Sequence, residues 1–169
     1  MSSKLSVQGS GSQDPLYDAL TREHRAIDEG LQATLGSIEQ GAPDYEPLRR
    51  ALEVLRRHLY IEEAMLFPPL QTGGMAAAIL VMLREHGRFW NLMNELDAET
   101  TAKQAAEVGK NAKFLLELLE RHNTKEEPVL YEQLAEQLPA AVREEIMAFL
   151  PEGVTPDGWS CERAGAESR

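Results

Sequence analysis

The stretch RHLYIEEAMLFPPL, residues 57–70, decides the fold. Leu48, Leu52, Leu55, Leu59 and Leu66 run through and before it at the three-and-four spacing of a helix that buries one face. His58 and Glu62, four residues apart, interrupt that apolar stripe with two titratable groups. A helix that places such groups where its neighbours specify core has a use for them there.

The same periodicity recurs along the chain. Asp14-Pro15 reads as an N-cap followed by proline in the first helical turn, and Leu16, Leu20, His24, Ile27, Leu31, Leu35 and Ile38 form one face of a first helix. Gly41-Ala42-Pro43-Asp44 ends it and opens a second helix, expected to stop near Phe67, before Pro68-Pro69. After Gly73-Gly74, a third helix carries Ile79, Leu83, His86, Phe89, Trp90, Met93 and Leu96 on one stripe. Thr101 with Gln104 resembles a capping box for a fourth helix, whose stripe is Val108, Ala112, Leu115, Leu119, His122, Glu126, Val129, Leu130 and Leu134. Pro128 is expected to kink or split that helix. Short connections make successive helices antiparallel neighbours. The fold expected is therefore all-α, an up-down-up-down antiparallel four-helix bundle over residues 14–136. A short fifth C-terminal helix (137–150), a disordered leader (1–13) and an irregular tail (151–169) complete the division.

The chain also repeats itself. Arg22-Glu23-His24 is followed by RHLYIEEAMLF, and Arg84-Glu85-His86 by RHNTKEEPVLY. Each half is a hairpin with one histidine on its first helix and His-x-x-x-Glu on its second. At about 1.5 Å per residue, His24 and His58 lie roughly 26 and 21 Å from the first turn, and His58 and His86 roughly 20 and 18 Å from the second. A third turn at Thr101 would put His86 and His122 at about 20 and 31 Å, a misfit that moves the turn into 100–107.

Composition narrows the function classes. A net charge of −11 over 169 residues argues against nucleic acid or anionic membrane as partner. No uninterrupted apolar run approaches the length of a membrane-crossing helix, and the N-terminus lacks the apolar core of a secretory signal. The single cysteine, Cys161, cannot form an internal disulfide, which suits a cytoplasmic protein. In its polar surroundings it reads as an exposed, incidental thiol.

All four histidines of the chain lie on inward stripes, one per helix. Glu62 and Glu126 follow His58 and His122 by four residues, about 40° around and 6 Å along a helix, on the same face. Buried carboxylates without partners would neutralise rather than stay charged; a pair of cations reverses that cost. Imidazole with carboxylate suits iron, manganese or zinc, and zinc alone favours closed tetrahedral sites, so iron is favoured. The ligand set read from spacing is His24, His58, Glu62, His86, His122 and Glu126, holding two iron ions bridged by carboxylates and by oxo or hydroxo, with positions left for a small molecule. Glu63 and Glu127, at i+5, remain rival ligands or else supporting acids, and Glu23 and Glu85 are expected to be solvated or to support the histidines. Trp90 is read as bundle core before pocket wall. Around a helix, Tyr60 lies about 160° from Glu62 and Tyr131 about 180° from His122, so neither is an obvious redox residue.

His24, His58-Leu-Tyr-Ile-Glu62, His86 and His122-Asn-Thr-Lys-Glu126 together resemble the hemerythrin-like, or HHE cation-binding, family over about residues 14–136. The resemblance implies a four-helix bundle around a non-haem di-iron centre that binds or senses O2, NO or peroxide. Oxygen-carrying members look to have a fifth histidine, whereas the positions four residues from His86 here are Met82 and Trp90. The four-His, two-Glu set looks closer to relatives tied to nitric oxide and oxidative stress, including iron–sulfur repair, and is similar to hemerythrin-like iron or oxygen sensing domains; the alternatives are an oxidoreductase turning over peroxide or NO, and iron storage or delivery. The cysteine-bearing segment of the repair proteins is not seen. A protein partner is left open.

Overall fold

A computed structural model describes residues 14–166; the expected leader lies outside them. Helix α1 (Pro15–Glu39) starts on Asp14, whose side chain accepts a hydrogen bond from the Leu16 N–H at 3.0 Å. It ends in a Schellman motif: the Ala42 N–H bonds Ser37 O and the Gly41 N–H bonds Ile38 O, both at 3.0 Å, with Gly41 at φ 74°. Helix α2 (Glu46–Tyr60) returns antiparallel to it.

The chain does not stop at the two prolines. It continues through one wide, five-residue-bonded segment (Ile61–Leu66), a short α3 (Phe67–Leu70) and a second wide segment (Gln71–Met75). Phe67 N–H reaches back to Glu62 O, so Pro68 and Pro69 fall in the first turn of a new helical segment, where their missing N–H groups cost little. The direction changes at Gly74, whose φ of 94° a side chain would strain.

Helix α4 (Ala76–Thr101) and helix α5 (Ala105–Val129) form the second hairpin. Their turn is a second Schellman motif, with Gln104 N–H to Glu99 O at 2.9 Å, Lys103 N–H to Thr100 O at 3.1 Å, and Lys103 itself at φ 55°. Thr101 is thus the last residue of α4 and bonds Asp97 O; the capping box is not formed. With the turn at 102–104, His86 and His122 stand about 22 and 26 Å from it, within one helical pitch. Pro128 neither kinks nor splits α5, because the helix ends one residue later and passes into a 3₁₀ turn (Tyr131–Gln133) and a short α6 (Leu134–Gln137). Helix α7 (Ala140–Phe149) follows.

The described residues thus form an all-α bundle in which α1 packs on α2 and α5, and α4 on α5. Its interior has two apolar clusters. One contains Leu16, Leu20, Phe67, Leu70, Ile79, Leu130 and Leu134, the other Ile27, Leu31, Leu55, Phe89, Met93, Leu115 and Leu119. Between them lies a buried polar layer of His24, His58, Glu62, His86, His122 and Glu126. The run Glu46–Thr101 holds a window of mean hydropathy 1.5, long and apolar enough to cross a membrane by composition. Counting uninterrupted apolar runs misses this window, which tolerates Pro, Gly and Gln. It is not one straight helix, however, because Gly74 breaks it, and Leu66, Phe67, Leu70, Ile79 and Met82 are core.

Candidate metal centre

The six residues selected by spacing meet in that polar layer, none more than 5% exposed. His24, His58, His86 and His122 come one from each long helix and turn their Nε2 atoms inward. His24 and His58 Nε2 are 3.0 Å apart. Glu62 reaches both hairpins: its Oε1 is 3.2 Å from His58 Nε2 and its Oε2 is 3.3 Å from His86 Nε2. Glu126 Oε2 lies 3.2 Å from His122 Nε2 and 3.7 Å from His24 Nε2. Two quartets result, His24–His58–Glu62–Glu126 and Glu62–His86–His122–Glu126, each with one donor atom per residue and all four atoms within 4.8 Å of one another. Both carboxylates belong to both quartets.

Glu62 sits inside the wide segment, not on a regular α-helix. Single wide turns of this kind interrupt helices at functional sites and re-aim the side chains they carry. Glu126, its counterpart in the repeat, stays on regular α-helix, and its carbonyl accepts from the Leu130 N–H at 2.7 Å.

Four further carboxylates fix the imidazoles. The Nδ1 atoms of His24, His58, His86 and His122 lie 2.9, 2.9, 2.8 and 2.7 Å from Glu127, Glu23, Glu63 and Glu85. An ionised carboxylate only accepts, so each Nδ1 donates and each Nε2 is left facing the interior. The pattern obeys the repeat. The acid before each first-helix histidine holds the second-helix histidine of its own hairpin, while the acid after each Glu62-type residue holds the first-helix histidine of the other. Glu63 and Glu127 therefore bond histidine Nδ1 atoms and belong to neither quartet, and Glu23 and Glu85 are not merely solvated. Arg57 and Lys125 close the outer side of Glu23 and Glu85.

The Hemerythrin HHE cation binding domain profile matches residues 15–134. The chain belongs to that family. No curated protein and no solved structure gives a significant match.

The donor set of this hemerythrin domain fits a metal cation on its own chemistry. Glu62 Oε2, His86 Nε2 and both Glu126 carboxylate oxygens are buried with no hydrogen-bond partner, an arrangement that costs free energy unless a cation completes it. Protons are the substitute. His58 is raised well above the usual imidazole range because Glu62 and Glu23 outweigh the opposing effect of burial. His86 is raised, against burial, by the nearby Glu62 and Glu63 carboxylates. His122 is raised, again against burial, to about 9 by Glu126 and Glu85. Glu62 is held well below the carboxylate range by His58 and His86 despite burial. A cation entering here must displace those protons, so binding strengthens as pH rises.

Three features of the structure lie outside what spacing foresaw. Tyr131 is in the centre: its O–H donates to Glu62 Oε1, and its oxygen is 3.1 Å from His58 Nε2 and 3.3 Å from His24 Nε2. The expectation that it points away assumed an unbroken helix, and the 3₁₀ turn after Pro128 swings it inward. Cys161 is buried at 3% exposure, with its thiol 3.6 Å from His86 O; it is not a surface thiol, and burial with Glu63 nearby pushes its pKa up to about 12. The described stretch after α7 is docked on the bundle. Glu162 N–H bonds Glu63 Oε2 at 2.7 Å, Gly165 N–H bonds Asn91 Oδ1 at 2.9 Å, and Trp159 stacks edge-on against Trp90 at 5.4 Å. Trp90 therefore anchors this strap and does not line the centre.

Proposed function

We propose that His24, His58, Glu62, His86, His122 and Glu126 hold two iron ions, and that the protein binds or senses a small molecule of the O2, NO or peroxide class there. The observation that carries this reading is the sharing of Glu62 and Glu126 between two four-residue groups: Glu62 turns one oxygen to His58 and the other to His86, and Glu126 Oε2 lies near both His122 and His24. Two histidines and two shared carboxylates per ion leave positions for water or a small ligand. When bound, a pair of iron ions supplies two electrons to such a ligand.

The protein's own side chains set the conditions for that chemistry. The four Nδ1 carboxylates lock each imidazole in one tautomer and orientation and raise its basicity toward the centre. Leu20 and Phe67 of one apolar cluster, and Ile27 and Phe89 of the other, are buried core residues near the layer. Glu23 with Arg57, and Glu85 with Lys125, place a paired charge on the outer side of His58 and His122.

Protein produced in iron-rich medium should carry about two irons per chain. After reduction it should give an NO or O2 adduct that reverses on degassing, with the optical change to match. Iron-replete protein that consumes many equivalents of peroxide or NO per site would instead make it an enzyme, and protein that retains no iron would remove the reading.

A further inference from the structure

The repeat aligns Phe67 with Tyr131: each follows the histidine of its His-x-x-x-Glu by nine residues. Both rings are buried, at 2% and 1% exposure, and both stack on the first-helix histidine of one hairpin. Phe67 faces His86 with centroids 5.6 Å apart and planes at 22°, and Tyr131 faces His24 at 5.6 Å and 20°. The ring is thus a packing element that the two halves share, and the halves differ by one oxygen. A buried tyrosine hydroxyl needs one partner, and Glu62 alone would serve. This oxygen instead sits among three donor atoms of the first quartet, within 3.3 Å of both imidazole nitrogens. The second quartet has no such oxygen, because Phe67, which takes the place of Tyr131 beside His86, carries none.

We infer that Tyr131 is a seventh protein ligand that makes the two metal positions unequal, binding the ion at His24/His58 and leaving the ion at His86/His122 as the one that accepts the exogenous small molecule. The inference rests on the two-ion reading above. The first position then has His24, His58, Glu62, Glu126 and the Tyr131 oxygen, while the second has four donors, with the bare edge of Phe67 where the phenol would be. On coordination the phenol O–H bond breaks and its proton passes to solvent, with no change of oxidation state.

The surroundings agree with this division. A cavity of about 180 Å³ between α4 and α5 is lined by Glu85 and Phe89. Both touch His122, Glu85 at its Nδ1 and Phe89 edge-on at 5.0 Å. A surface cavity is lined by Tyr131, which borders the first position, with Asp14, Tyr17, Glu132 and Ala135.

The test is visible absorption and resonance Raman spectroscopy of the full chain, loaded with iron(II) and oxidised to iron(III), with the iron content measured in the same samples. Wild-type protein is expected to show a phenolate-to-iron(III) charge-transfer band with tyrosinate ring modes. Tyr131→Phe should keep both irons and lose band and modes completely, and Phe67→Tyr should add a second set. Iron-replete wild-type protein without tyrosinate modes overturns the inference whatever the variants do, as does a band that survives in Tyr131→Phe. Absence of iron from the wild type is a different result, because it removes the two-ion reading first.

Discussion

The two hairpins perform one task with different local structure. Each supplies Glu-His on one helix and His-x-x-x-Glu-Glu on the next, and each closes with a Schellman turn. The first turn uses Gly41, whereas the second forces Lys103 to a positive φ. After the shared motif the first hairpin widens around Glu62 and runs on through two prolines, while the second stops at Pro128 and folds Tyr131 inward. Enclosure differs as well. The side chain of Glu63, beneath the C-terminal strap, is 7% exposed, against 31% for Glu127. A duplicated sequence thus preserves the positions of the inward donor atoms and lets everything outside them diverge.

Removal of donors breaks the comparison at its strongest point. Glu62→Ala or Glu126→Ala takes a donor from both quartets and should reduce iron from about two per chain to almost none. His58→Ala or His122→Ala touches one quartet and should leave about one. Metal analysis of the four variants checks this. Equal losses from the glutamate and histidine variants would show that the carboxylates are not shared.

The architecture and the cluster were legible for one physical reason: burial imposes a 3.6-residue period, and a polar residue that keeps the period is in the core. His24, His58, Glu62, His86, His122 and Glu126 could therefore be grouped before any coordinates. The wide turn at Ile61–Leu66 could not be foreseen, since no residue in IEEAML forbids a regular helix and only the tertiary position of Glu62 selects it. Tyr131 was misplaced because angles around a helix lose meaning once the helix ends. The pairings of Glu23, Glu63, Glu85 and Glu127 join residues 23 to 103 positions apart in sequence, beyond the reach of local pattern. The strap carries no periodicity at all, so nothing in GWSCERAGAESR announced a buried thiol.

Two glycines sharpen the comparison between hairpins. A Cβ on Gly30, in α1, would lie 2.7 Å from both the Cβ of Ala51 and the carbonyl oxygen of Pro47, so α1 and α2 would have to separate. A Cβ on Gly109, in α5, meets only Ile38 side-chain carbons, from 3.7 Å. Overpacking costs about 1–3 kcal/mol, and alanine regains up to about 1 kcal/mol of helix propensity. Gly30→Ala should therefore lose about 1–2 kcal/mol, and Gly109→Ala should gain about 0.5–1 kcal/mol. Thermal unfolding should move down by roughly 2–8 °C in the first and up by roughly 1–4 °C in the second. The same sign in both would mean that the first hairpin is not the more tightly packed.

The smallest effect concerns the strap, which only one half of the centre possesses. Gly87 lies on α4 directly beneath it, and a Cβ there would come 2.5 Å from Arg163 O and 2.7 Å from Arg163 Cβ. Backbone of the strap cannot yield by a rotamer change, whereas α4 itself gains from alanine at an interior position, by up to about 1 kcal/mol. Gly87→Ala should therefore lift residues 159–165 off the bundle while changing the melting temperature little. The readout is Cys161, the only thiol in the chain. Buried against His86 O, with its pKa pushed to about 12, it should resist a thiol reagent in the wild type. Released into water, it returns toward the ordinary thiol range, and labelling should accelerate by about tenfold or more. Glu63 then loses the Glu162 N–H but keeps His86, so the centre should still assemble. A Cys161 that stays unreactive in Gly87→Ala would show that the strap shifts along α4 without letting go, its hold set by Trp159 against Trp90 and Tyr60 and not by close approach at Gly87.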